Sequence, residues 1–126
     1  MRWLLALSAL SGFLAVALGA FGAHGLKGRV SALPDGARRL EWWQTAANYQ
    51  LAHALAIGLC ALLADRLPTS GMSIAGVAFL IGTLLFSGSL YAMGLTGMRA
   101  LGAVTPLGGL AFLVGWACLL GAALQH

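Results

Sequence analysis

The sequence predicts an all-α, integral-membrane fold: a single antiparallel bundle of four transmembrane helices. Three observations carry that reading. Hydrophobic residues make up 60% of the 126-residue chain and charged residues only 8%, against about 25% charged in soluble domains. Mean hydropathy is +0.91. A bilayer core of about 30 Å takes about 20 apolar residues of helix, and the chain offers four such runs, separated by short joints containing glycine, proline and charge. Strands are disfavoured, because period-two alternation is absent and only helices or closed barrels satisfy their backbone in lipid.

The first helix is expected at about 3–23. Arg2 ahead of an apolar stretch that ends in small residues near Ala20 and Ala23 also suits a secretory signal peptide, but the stretch is long enough to span, which favours a membrane helix. Ser11, Ala15, Gly19 and Ala23 recur every four residues along it, a small-residue stripe that lets helix backbones approach. The joint that follows, HGLKGRVSALPDGARRLE, is charged and contains Pro34.

The second helix is expected at about 36–64, starting near Asp35, with Arg38, Arg39 and Glu41 solvated among the headgroups and Trp42 and Trp43 at the interface. Its early turns, QTAANYQLAHAL, are unusually polar for a membrane span. At 100° per residue, Trp42, Thr45, Tyr49, His53, Ala56 and Cys60 share one stripe roughly 80° wide, while Leu40, Leu51, Leu55, Leu59 and Leu62 fall on the other side. The polar residues are therefore largely sorted onto a face turned to protein or water.

After DRLPTSG the third helix is expected at about 73–91, with Thr83, Ser87 and Tyr91 in one row. The fourth, at about 105–124, follows GLTGMRALGAV and opens with Thr105 as a potential N-cap before Pro106. Gly108, Ala111, Gly115, Cys118 and Ala122 make its small-residue stripe. Short joints place all four helices in one membrane domain, residues 1–126.

Lys27, Arg29, Arg38, Arg39 and Arg99 fall in the first and third joints, against Arg2 and Arg66 on the other side. That bias sets both joints in the cytoplasm and both termini on the non-cytoplasmic side. The net charge of +4 thus reads as a topology signal and a contact with anionic headgroups, with no nucleic-acid partner. No metal-site spacing and no cofactor motif is present. Cys60 and Cys118 lie in apolar segments, where buried small hydrophobes and a disulfide both remain open.

A candidate site, binding or structural, gathers around the polar stripe: His24, Thr45, Asn48, Tyr49, His53, Thr83, Ser87, Ser89, Tyr91 and Arg99. Ala64 and Ser73 share one membrane surface, so counting away from that joint sets His53 level with residue 84 and Tyr49 with residue 88. His53 or Tyr49 is therefore expected to hydrogen-bond to Thr83, Ser87 or Ser89, in a pocket opening toward His24 and Arg99. The same count on the first helix sets His53 against Leu14 and its apolar neighbours.

The stretches GAFGAHGL, WWQTAANYQLAHALA, LFSGSLYAMGLTG and TPLGGLAFLVGW resemble the YgdD-like family of small membrane proteins, a domain of unknown function. The resemblance runs through nearly the whole chain. It implies a four-helix inner-membrane protein of bacteria, with relatives among small eukaryotic transmembrane proteins, and carries over no activity.

Enzyme chemistry is not expected. Asp35, Glu41 and Asp65 fall at or outside the interfaces, and no nucleophile has an obvious base. Two classes remain. One is a structural or accessory protein that docks on itself, as a homo-oligomer, or on a larger membrane complex. The other is a small oligomeric transporter or channel that uses the polar pocket around Tyr49 and His53, although four helices of this length enclose little volume unless copies assemble.

Overall fold

The computed structural model describes residues 1–125. Four long helices cross the bundle: α1 (Arg2–Val30), α2 (Gly36–Leu63), α3 (Thr69–Thr96) and α4 (Arg99–Leu124). α1 and α3 are each interrupted by one π-helical turn, at Gly22–Leu26 and Thr83–Ser87, and α4 opens as a 3-10 turn over Arg99–Ala103.

Three helices exceed their expected spans, because hydropathy measures the bilayer while helix ends are set by breakers and caps. α1 runs past Ala23 through Lys27 and Arg29, residues that water and headgroups satisfy without unwinding the backbone. The joint before Pro34 finally turns it. α3 starts directly after Pro68 and stops at Thr96, where Gly97 adopts a left-handed conformation (φ 74°) and its N–H bonds the Met93 carbonyl at 2.7 Å. This end is a glycine C-cap. α4 begins with its 3-10 turn, so Thr105 lies within the helical run and does not cap it. Its hydroxyl instead meets Ser89 Oγ at 2.6 Å. α2 starts at Gly36, directly after Asp35.

α2 and α3 form the centre of the antiparallel bundle, with α1 laid on α2 and α4 on α3. The small-residue stripes explain both pairings. Ser11 and Ala15 are buried on α1, and a Cβ on Gly19 would rest 3.8 Å from that of Ala47. Ala23, the last member of the α1 stripe, is exposed. On α4, a Cβ at Gly115 would come 2.5 Å from the Phe79 ring. One at Gly108 would overlap the Phe86 backbone nitrogen and lie 2.7 Å from its Cα, so α4 touches α3 backbone to backbone at the π turn. Leu51, Leu55, Leu59 and Leu62 face outward as the α2 stripe requires. The apolar core between the helices, including Leu4, Ile57, Cys60, Met72, Phe79 and Phe112, packs by dispersion, because lipid supplies no hydrophobic drive between helices. Cys60 and Cys118 are free thiols.

Candidate functional site

The polar face of α2 turns inward at His53, which is 6% exposed. His53 Nδ1 lies 2.7 Å from the Tyr49 carbonyl one turn back, and Trp116 of α4 donates its indole N–H to His53 Nε2 at 3.1 Å. An indole N–H only donates and a carbonyl only accepts. One neutral tautomer, with its proton on Nδ1, therefore satisfies both ring nitrogens. The imidazole stacks on Phe112, with centroids 3.6 Å apart and planes 11° from parallel. Phe79 and Trp116 approach it at 5.6 and 5.9 Å, and Tyr49 packs on Phe86 at 4.5 Å. Missing side chains make room for the rings, since a Cβ at Gly82 would strike Phe112.

A second network ties α1, α2 and α3 together. Tyr91 donates to Gln50 Oε1 at 2.6 Å, while Gln50 Nε2 reaches the Ser11 carbonyl at 3.2 Å and Ser11 Oγ at 3.4 Å. Hydroxyl-to-carbonyl bonds flank it, from Ser8 to Ala54 (2.7 Å) and from Ser87 to Ala46 (2.8 Å). At the α1–α2 joint end, Trp43 donates to the Leu18 carbonyl at 2.6 Å and packs edge-on against Tyr91 at 4.6 Å. Its indole fills the space that glycines leave open: a Cβ at Gly22 would strike it, and one at Gly94 would come within 3.2 Å. Arg39 completes this end. Its Nε donates to the Gly94 carbonyl at 2.9 Å and its Nη2 to that of Leu95, beside Asp35 at 4.0 Å. With Gly97 N–H on Met93, successive carbonyls at the end of α3 acquire donors that the helix itself cannot supply.

These geometries correct several expectations. Neither His53 nor Tyr49 pairs with a hydroxyl of α3. Thr83 donates to the Phe79 carbonyl at 2.9 Å, Ser87 to Ala46 and Ser89 to Phe86, and the Ser89 and Thr105 hydroxyls bond each other. Thr83 and Ser89 use backbone acceptors one turn back in their own helix, and Ser87 crosses to a backbone carbonyl of α2, so depth matching alone did not predict a side-chain pairing. The sites also separate: Tyr49 and His53 belong to the aromatic cluster, Tyr91 to the Gln50 network, and Thr45 is half-buried. His24, Asn48 and Arg99 are exposed and do not open a shared pocket onto His53. Arg39 is not solvated, its side chain being 13% exposed, and Trp43 is buried at a helix crossing with 2% exposed.

The residues missed were Trp116, Phe112, Gln50, Ser11, Trp43 and Arg39. A signal for Trp116 existed. α2 and α4 run parallel, with Trp43 and Thr105 opening their spans at one surface, so ten residues on His53 is level with Gly115, next to Trp116. An indole N–H within a membrane span has no water to serve it and needs an acceptor, and His53 offers one at that depth.

The family model described as "Protein of unknown function (DUF423)" matches residues 18–109. The chain is 43% identical to UPF0382 membrane protein YwdK of Bacillus subtilis, covering 100% of this chain and 99% of that protein. It is 43% identical to UPF0382 inner membrane protein YgdD of Escherichia coli K12 (98% and 91%) and 38% identical to UPF0382 membrane protein SH2409 of Staphylococcus haemolyticus (95% and 93%). No solved structure matches it. The match to the family model and the near full-length identities place this four-helix membrane protein in the DUF423 family of unknown function.

Proposed function

We propose that the protein is a non-enzymatic structural or accessory component of the bacterial inner (plasma) membrane, with both termini on the non-cytoplasmic side, that docks on itself or on a larger membrane complex. The observation that carries this reading is the engagement of the interior polar groups with one another: among the described residues, no buried side-chain nitrogen or oxygen lacks a hydrogen-bond partner. His53, the residue best suited to move protons, has both ring nitrogens occupied and one face covered by Phe112. The carboxylates Asp35, Glu41 and Asp65 sit just before α2, in its first turns and just after it, which supports a non-catalytic role. The names of the relatives, membrane and inner membrane proteins, support the location.

A second reading, a small oligomeric transporter or channel, draws on a groove of about 340 Å³ between α1 and α3, where Leu10, Leu14, Leu80 and Leu84 stand over Gln50 and Thr83. One experiment separates the two: purification of the tagged protein in gentle detergent at native expression, with identification of what accompanies it. A larger complex in stoichiometric amount is the expected result. Homo-oligomers alone, with a water-filled path past Gln50, would favour transport.

A further inference from the structure

Between the end of α1 and the first turns of α2 lies a notch of about 360 Å³, lined by Gly22, Ala23, Lys27, Leu40, Glu41 and Gln44. None of these residues belongs to the His53 cluster or the Gln50 network. Lys27, Glu41 and Gln44 are exposed at the mouth, whereas Gly22 is buried and Leu40 half-buried. An ammonium and a carboxylate thus face one cavity without pairing with each other, since among the described residues the only ion pair is Arg39 with Asp35. A ligand that suits both charges carries an anion and a cation of its own.

The depth of the notch narrows the class. It opens where the charged joint enters the headgroup layer, at the turn of α2 that carries the half-buried Trp42, the residue type that marks that layer. Its volume is roughly that of a dozen waters at about 30 Å³ each, enough for a phospholipid headgroup, and its deeper wall of Gly22 and Ala23 suits the glycerol and the first methylenes below.

We propose that this notch binds the headgroup of a zwitterionic, ethanolamine-class phospholipid. Lys27 meets the phosphate, while Glu41 and the Gln44 carbonyl accept from the lipid ammonium. A choline headgroup has no N–H to donate to those acceptors. An anionic glycerol headgroup offers no cation to Glu41 and brings like charge to it. Arg29 and Arg38, exposed on the same side, attract all phosphate-bearing lipids alike and so do not discriminate.

The test is native mass spectrometry of the full chain released from nanodiscs holding equal parts phosphatidylethanolamine, phosphatidylglycerol and phosphatidylcholine. Phosphatidylethanolamine is expected to dominate the retained lipid. Glu41→Gln should lower its ratio to phosphatidylglycerol by up to about fivefold, the scale of an exposed ion pair, while Glu41→Asp preserves the preference. Lys27→Gln should reduce retention of all three lipids. Both side chains are exposed, and an unchanged unfolding temperature verifies that each variant folds. Phosphatidylglycerol or phosphatidylcholine retained as well as phosphatidylethanolamine by the wild type, or a ratio unmoved by Glu41→Gln, would overturn the proposal.

Discussion

A histidine carried into hydrocarbon brings two ring nitrogens that water no longer serves, and leaving one unpaired costs on the order of a few kcal/mol. His53 meets that demand with the Tyr49 carbonyl and the Trp116 indole. Trp116→Phe keeps a ring at the position but removes the N–H, so unfolding in detergent should show a loss of about 1 kcal/mol, within the measured range for interhelical bonds in membranes. No loss would mean that Nε2 finds another donor. Gln50 is a stricter case because it serves both Ser11 and Tyr91. Gln50→Leu strands the Tyr91 hydroxyl and should cost about 1–3 kcal/mol, whereas Tyr91→Phe, which leaves Gln50 its contact with α1, should cost less. Thermal unfolding of the two variants side by side checks the order. At this scale the sequence was least legible. The inward turn of His53 could be read from the stripe it shares with Tyr49 and Cys60. Its partner was legible only as a choice between Trp116 and the α3 hydroxyls, because depth counting fixes a level along the membrane normal and leaves open which of two neighbouring helices supplies the bond.

Helix ends and crossings follow a different logic, in which the decisive residues are the smallest and the longest. Gly108 touches the Phe86 backbone at the π turn of α3, and backbone there cannot swing aside as a side chain can. Gly108→Ala should lower stability by about 1–3 kcal/mol, the usual cost of overpacking. Gly109→Ala, whose added Cβ would lie 3.9 Å from the Phe86 ring, should be nearly neutral, and the difference between the two melting temperatures is the readout. At the end of α3, Arg39 supplies donors to Gly94 and Leu95, close to the favourable negative end of the helix dipole. Arg39→Ala should leave the span intact but fray its last turn, seen as faster amide hydrogen exchange over residues 94–98; unchanged exchange there would contradict the cap. Element positions were legible because hydropathy and breakers report them directly. The end of α1 was not, since His24, Lys27 and Arg29 lower hydropathy without stopping a helix. The headgroup layer hydrates such side chains while the backbone continues.

For the molecule as a whole, composition and the spacing of four apolar runs were enough to read a four-helix membrane bundle, and the structure adds which helices are central. The proposed orientation rests on the basic joints. A single cysteine placed near Gly28 in a variant lacking Cys60 and Cys118 should be shielded from an impermeant thiol reagent in intact cells, and one placed at the chain's end should react; the reverse pattern would invert the topology. The central claim is that the polar interior joins helices to one another, with His53 and Trp116 as its junction between α2 and α4. A double-mutant cycle on His53→Ala and Trp116→Phe, read by reversible unfolding in detergent, tests it most directly. The account predicts a coupling of about 0.6 to 1.7 kcal/mol. Additive effects, with coupling indistinguishable from zero, would contradict it and free His53 for another role.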